Sequence, residues 1–333
     1  MLYVGVDHHT KTSHLTICDE TGAVLRRKNI RSSKEDIRQL LDAYDESKKV
    51  VLEAGYNWGR MYDWLEDVAD EVILAHPQKV RAIAEARIKT DKIDSETLAH
   101  LLRADLIPRA YACSSDNRAN KRVLRHRMFL VKMRTTLKNR VHAILAQHEI
   151  EKPNVTDLFG LEGMNWLESV NLSEPDESML RENLSLLAEV TERIDSTEDL
   201  MERLSKKDPV VARLRSIPGI GNFLSLLIRY EVDDIARFPQ PKKFVAYTGL
   251  IPSTYSSANR TYHGKITKQG NKYLRWAFVV AATGAIRVSP HLRAHYERIK
   301  KRNGVKEAQV STARKIAEIV WHVWTEERFY EIR

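Results

Sequence analysis

Two apolar, strand-like runs near the start of the chain each end on a carboxylate: Leu2-Tyr3-Val4-Gly5-Val6-Asp7 and Val50-Val51-Leu52-Glu53. Short runs rich in Val, Leu and Ile read as strands of a buried sheet. The same signal places further strands near 12–18, 23–29 and 70–75. Helical spacing falls near 33–45, 57–69, 77–87 and 92–103, with Ser33 and Asp36 forming a capping box at the first of these. Three strands in succession, then alternating helix and strand, predict a mixed sheet with helices packed on it.

Two more acids stand three residues apart in Lys89-Thr90-Asp91-Lys92-Ile93-Asp94, at the mouth of a helix. At that spacing their side chains leave nearly the same helix face. Asp7 and Glu53 at strand ends, with Asp91 and Asp94 on a later helix, occupy the places where a ribonuclease-H-like fold keeps metal ligands. Such a group of acids suits Mg²⁺, which takes oxygen ligands, and Mn²⁺, which accepts the same shell. Two ions about 4 Å apart can stabilise both the attacking and the leaving oxygen of a phosphoryl displacement. Crowded carboxylates raise one another's pKa and are costly without a cation. For the helical pair alone, Asp91 as N-cap and Asp94 as a first-turn acid is the competing reading. The strand-end acids tip the joint reading to metal. His8, His9 and His14 read as polar loop residues beside Asp7, since Mg²⁺ needs no imidazole.

The net charge of +9 points to a polyanionic partner. Residues 117–148 contain no acid but carry Arg118, Lys121, Arg122, Arg125, Lys132, Arg134 and Lys138, interleaved with apolar residues. This predicts a long amphipathic helix contacting nucleic-acid phosphates; a solvated cationic face is the alternative. Residues 151–200 turn acidic, with a loop around 171–176 and a stripe of Leu180, Leu187, Ile194 and Met201 every seven residues. The two helices form either an antiparallel hairpin or a coiled coil between protomers. From Pro209 a third region begins. Ile217-Pro218-Gly219-Ile220-Gly221 is a tight turn that either presents backbone amides to a phosphate, through Gly219 and Gly221, or simply joins two helices. A polar loop is expected at 253–264 and closing helices near 271–287, 290–302 and 306–325. Arg260, Lys265, Lys268, Lys272 and Arg275 surround the serines of that loop. The tryptophans are read as core, with base stacking a minor option for Trp58 in a loop. Cys18 and Cys113 alone form no disulfide framework, and the sequence shows no signal peptide and no membrane-spanning run, so a cytoplasmic, nucleoid-associated protein is expected.

In order and spacing these motifs resemble the DEDD transposases of bacterial and archaeal insertion sequences (insertion-sequence family 110), a group that includes the pilin-gene invertase. The resemblance spans nearly the whole chain. It implies a RuvC-like, ribonuclease-H-fold α/β domain at 1–112 whose four acids are Asp7, Glu53, Asp91 and Asp94. It also implies a helical dimerisation and nucleic-acid-binding region at 113–206 and a helical transposase domain at 207–333. The C-terminal match rests on Ile217-Pro218-Gly219-Ile220-Gly221, Gly249-Leu250-Ile251-Pro252 and Ile266-Thr267-Lys268-Gln269-Gly270-Asn271. By the same resemblance Ser257 is the DNA nucleophile, with Ser256 adjacent, and forms a covalent protein–DNA ester. Implied partners are donor and target DNA, a structured guide (bridge) RNA and further copies of the chain, as dimer or tetramer. The chain has Ser257-Ala258 where relatives have Ser-Gly, and Ser95 where Ala is usual. Two other readings remain: a RuvC- or ribonuclease-H-type nuclease that uses water, and a nucleic-acid-binding scaffold without catalysis.

Overall fold

The computed structural model describes residues 1–84, 90–206, 208–257 and 260–331; the side chains of residues 254–263 and of Lys265 lie outside the described set. The chain divides into two compact units, Met1–Ser115 and Asp116–Arg333.

The first unit runs β1 (Leu2–His8), β2 (Thr12–Cys18), β3 (Val24–Arg31), α1 (Lys34–Leu41), β4 (Lys48–Glu53), α2 (Trp58–Glu66), β5 (Glu71–Ala75), α3 (Pro77–Ile83) and α4 (Asp91–Arg103). The five strands pair in the order β3-β2-β1-β4-β5. β1 and β2, and β2 and β3, are antiparallel; β1 and β4, and β4 and β5, are parallel. This is the mixed sheet the sequence predicts. Ser33 caps α1 by accepting from the Asp36 amide at 3.1 Å.

Both faces of the central strands are covered, which is why Val50-Val51-Leu52 is a continuous apolar run. Val50 and Leu52 pack with Ile37, Leu41, Met61 and Leu65 on the face carrying α1 and α2. Val51 packs with Ile73, Leu98 and Leu102 on the face carrying α4. Gly5 sets how closely α4 lies on β1. A Cβ there would fall 2.0 Å from the Ser95 carbonyl oxygen and 2.6 Å from the Ala99 amide nitrogen. Beside this contact the Thr16 and Ser95 hydroxyls form a buried hydrogen bond at 2.9 Å. Ser95 therefore ties α4 to β2.

The second unit contains α5 (Ser115–Gln147, its first residue at the boundary), α6 (Leu161–Ser169), α7 (Asp176–Ser205), α8 (Pro209–Arg215), α9 (Asn222–Val232), α10 (Pro241–Thr248), β6 (Pro252–Ser257), β7 (Arg260–Ile266), α11 (Lys272–Val288), α12 (Pro290–Asn303) and α13 (Val305–Thr325). α5 and α7 run antiparallel: Arg127 pairs with Glu198 near one end and His148 with Asp176, at 2.8 Å, near the other. Leu130 packs on Val190 and Ile194 between them. The heptad stripe is thus buried within one chain. The remaining core is centred on Leu226, Ile228, Phe244, Phe278, Ala281, Ile316 and Val320.

The described residues of the segment expected as a polar loop at 253–264 differ from expectation: 253–257 and 260–264 lie in two paired antiparallel strands, with Tyr255 opposite Tyr262 and Ser256 opposite Thr261. Tyr and Thr favour extended backbone, and that preference outweighs the polar composition. Among the described residues, no helix is long and apolar enough to cross a membrane.

Candidate metal centre

The parallel pairing of β1 and β4 sets Val6 opposite Leu52, so Asp7 and Glu53 each follow one residue later at the same end of neighbouring strands. Such strands lie about 4.8 Å apart. Strand alternation turns both residues to the face that Gly5 and Val51 share, the face covered by α4. The helix brings the second pair of acids. Thr90 is its cap, its hydroxyl accepting from the Ile93 amide at 3.3 Å. Asp91 is therefore the first helical residue rather than the cap, which disposes of one half of the competing reading; Asp94 does lie in the first turn. The neighbouring Lys89 of the motif lies outside the described residues.

The structure brings Asp7 and Asp91 together around His9. His9 Nε2 lies 3.3 Å from Asp7 Oδ2 and 3.4 Å from Asp91 Oδ1. Each of these three residues offers a ligand atom within 4.8 Å of the others. His14 Nε2 stands 3.9 Å from Asp91 Oδ2. Burial pushes the Asp7 carboxyl above the usual carboxylate range; His9 opposes that shift, and Asp91 and Asp94 add to it. Asp94 thus acts electrostatically on Asp7, and the strand register supplies Glu53. A set of acids that destabilise one another's charge, with an imidazole among them, is the donor chemistry of a divalent-cation site.

The histidines are the clearest correction at this site. His8 ends β1 and His14 lies within β2, so neither is a loop residue. His8 Nδ1 bonds the Ser13 hydroxyl at 2.9 Å, and burial, with His9 nearby, lowers its pKa. His9 lies among the acids themselves. The signal was its position two residues past a strand-end carboxylate. Trp58 also is not in a loop: it opens α2 and meets Tyr62 edge-on.

In the second unit Ser257 ends β6 opposite Arg260. The side chains of Ser256, Ser257, Arg260 and Lys265 are outside the described set. Both strands are anchored at the base of the hairpin: the Thr267 amide donates to the Ile251 carbonyl, and the Asn271 amide to that of Tyr247. Arg275 donates to the Lys268 carbonyl at 2.9 Å, and Lys272 begins α11. Asn271 caps α11 through Oδ1, and its Nδ2 donates to Glu231 at 2.7 Å. Glu231 is 1% exposed and takes two further bonds from Arg125, at 2.7 and 2.9 Å. One basic residue expected to contact phosphate therefore holds α5 to α9. Arg122 and Lys132 are exposed on α5; Arg118, Lys121, Arg134 and Lys138 are half-buried, and Lys138 stands 4.6 Å over the Phe159 ring. Gly219 has a packing reason of its own. At φ +84°, a Cβ there would fall 2.1 Å from the Ala281 carbonyl oxygen. Gly221 is exposed, at the N-cap of α9. The sequence reading missed the Glu231–Asn271 link, because only the fold brings those positions together.

The mixed sheet followed by a mostly helical remainder, together with the family comparisons, places the chain among DNA-processing enzymes with a DEDD transposase domain. Residues 4–150 match a DEDD model of the IS110 type, described as "Transposase". Residues 211–297 match the model described as "Transposase IS116/IS110/IS902 family". The chain belongs to this family of insertion-sequence transposases. It is 25% identical, over 98% of its length and 90% of the relative's, to the "Transposase for insertion sequence element IS1111A" of Coxiella burnetii. It is also 25% identical to a "Probable family 20 transposase" of Pseudomonas aeruginosa, over 84% of this chain and 85% of that one. With the "Transposase for insertion sequence element IS1328" of Yersinia enterocolitica the identity is 26%, over 84% and 82%.

Proposed function

We propose that this transposase cuts and rejoins DNA at the ends of its insertion sequence, with Ser257 as nucleophile and with Asp7, Glu53, Asp91 and Asp94 holding Mg²⁺ or Mn²⁺. The observation that carries this reading is the meeting of Asp7 and Asp91 within 4.8 Å of a common partner, His9. Bound there, a divalent cation supplies positive charge against the phosphate as it is attacked. The residues do the rest. The Thr90 cap and the Gly5 contact hold Asp91 over the sheet edge. Charge on the half-buried Asp7 carboxyl is opposed by Asp91 and Asp94 and favoured by the nearby His9 and His14 imidazoles, as a bound cation would also favour it. The Ser257 oxygen forms a bond to phosphorus as the bond to a deoxyribose oxygen breaks, and the departing hydroxyl later reverses the step on a new strand. A covalent phosphoserine conserves the phosphodiester for rejoining.

The acids lie in the first unit and the serine in the second, which suits a composite centre assembled in a dimer or tetramer. Donor and target DNA are the substrates of this reading, and a structured RNA its guide. The acid-free stretch of α5 supplies cations for either backbone.

The test is Ser257→Ala beside Ser256→Ala. The first is expected to lose both recombination and the protease-resistant protein–DNA adduct while retaining DNA binding; the second is expected to retain all three. Cleavage to free ends by Ser257→Ala, with no adduct in the wild type, would identify a water-using nuclease instead.

A further inference from the structure

α5 and the first turns of α11 flank an open groove of about 710 Å³, whose walls include Arg125, Arg127, Phe129, Lys132, Lys272 and Trp276. Its aromatic residues are unusually wet. Phe129 is 57% exposed and Trp276 42% exposed. An isolated exposed aromatic is ordinary, but two on facing walls of one groove call for a ligand. The cations of the groove fall into two kinds. Arg125 is held by Glu231 with its guanidinium 4.3 Å over Tyr273. Arg127 is held by Glu198 and lies 4.3 Å over Phe223, which in turn meets Trp276 edge-on at 6.2 Å. These pairs fix the wall. Lys132 and Lys272 are exposed, and among the described residues neither pairs with a carboxylate.

An apolar peptide would use the rings and leave the lysines idle; a duplex would use the lysines and hide its base faces from the rings. A ligand that uses both has flat faces and phosphates within a few ångströms of each other. We infer that this groove binds unpaired nucleotides of a single strand, a base stacking on Trp276 and Phe129 while its phosphates lie on Lys132 and Lys272. The groove is close in the chain to the hairpin that carries Ser257: residues 267–271 alone separate β7 from α11, and both ends of that turn are bonded to the α10 region. A base leaving its pair near the hairpin would thus find a stacking platform beside it. The inference rests on the nucleic-acid reading above but not on the nucleophile or the metal.

The test uses the full-length protein and three dye-labelled probes of one length, oligodeoxythymidylate, oligouridylate and duplex DNA, with binding read by fluorescence anisotropy. One stacked base is worth about 1–3 kcal/mol. Trp276→Ala should therefore weaken single-strand binding by roughly 5- to 150-fold. Duplex affinity should stay unchanged, and Trp276→Phe should restore most of the loss. The thymidylate and uridylate arms identify DNA or RNA as the preferred strand. Phe129→Ser, on the opposite wall, gives an independent reading should Trp276→Ala fold poorly. An equal loss for duplex and single strands, or no loss in either variant, overturns the proposal. A wild type that binds duplex but neither single strand overturns it while leaving the transposase reading intact.

Discussion

Replacing Gly5 with alanine tests how the fold builds the site. The added Cβ would sit 2.0 Å from the Ser95 carbonyl oxygen, where ordinary contacts begin near 3.4 Å, so α4 must retreat by about 1.4 Å or the strand must buckle. Both neighbours are backbone, so no side-chain rotamer can absorb the change. Overpacking of this kind costs about 1–3 kcal/mol, and this case belongs at the upper end. Retreat also stretches the buried Thr16–Ser95 hydrogen bond, adding about 1 kcal/mol. A loss of about 3–4 kcal/mol in a domain of this size lowers the melting temperature by about 10–20 °C. Because α4 carries Asp91, the same displacement moves that carboxylate away from Asp7, and Mn²⁺ affinity should fall with stability. Scanning calorimetry and an Mn²⁺ titration followed by electron paramagnetic resonance measure the two effects. Gly55→Ala is the control: nothing lies closer than 4.0 Å to the point its new methyl group would occupy, so its stability cost should be slight. A Gly5→Ala protein that melts within about 2 °C of wild type and binds Mn²⁺ equally well would refute the claim that this contact positions the helix.

Asp7→Asn should stabilise the metal-free protein at neutral pH. The folded state raises the Asp7 pKa, so it holds that proton more tightly than the unfolded chain does. Wild-type stability therefore falls as pH climbs from the ordinary carboxylate range through the raised value, and the amide removes that fall. Melting curves in chelator between pH 4 and 8 should show it, and Mn²⁺ should stabilise the wild type but not the variant. Asn271→Ala removes the cap of α11 and one of the partners of buried Glu231, and should cost about 2–3 kcal/mol in urea unfolding; a change under about 0.5 kcal/mol would contradict the assigned role.

Much of the first unit was legible because its signals are local. Val50-Val51-Leu52 is apolar without a break because the strand is buried on both faces, and an acid straight after such a run can only stand at the sheet edge. What the sequence concealed depends on contact between distant segments. Thr90 and Asp91 are both good caps, and only the backbone decides for Thr90, which is extended while Asp91 is already helical. His9 looked superfluous beside a set of oxygen ligands, and its place between Asp7 and Asp91 exists only once α4 crosses β1. Trp276 sits in an apolar helix and reads as core, yet it falls on the side of α11 that lines a groove and is 42% exposed. Arg125 reads as one more surface cation, but Glu231, more than a hundred residues away in the chain, claims it. The hairpin at β6 and β7 was hidden for a different reason: its polar residues resemble a loop, while their backbone preferences are those of strands.

Crystals grown with Mn²⁺ and measured at its absorption edge would decide whether the four acids hold metal. The expected result is an anomalous peak at the strand ends of the first unit, within about 2.0–2.6 Å of carboxylate oxygens from Asp7 and Asp91, with Glu53 and Asp94 facing the same ion or a second one about 4 Å away. Full occupancy elsewhere, with nothing between Asp7 and Asp91, would contradict it.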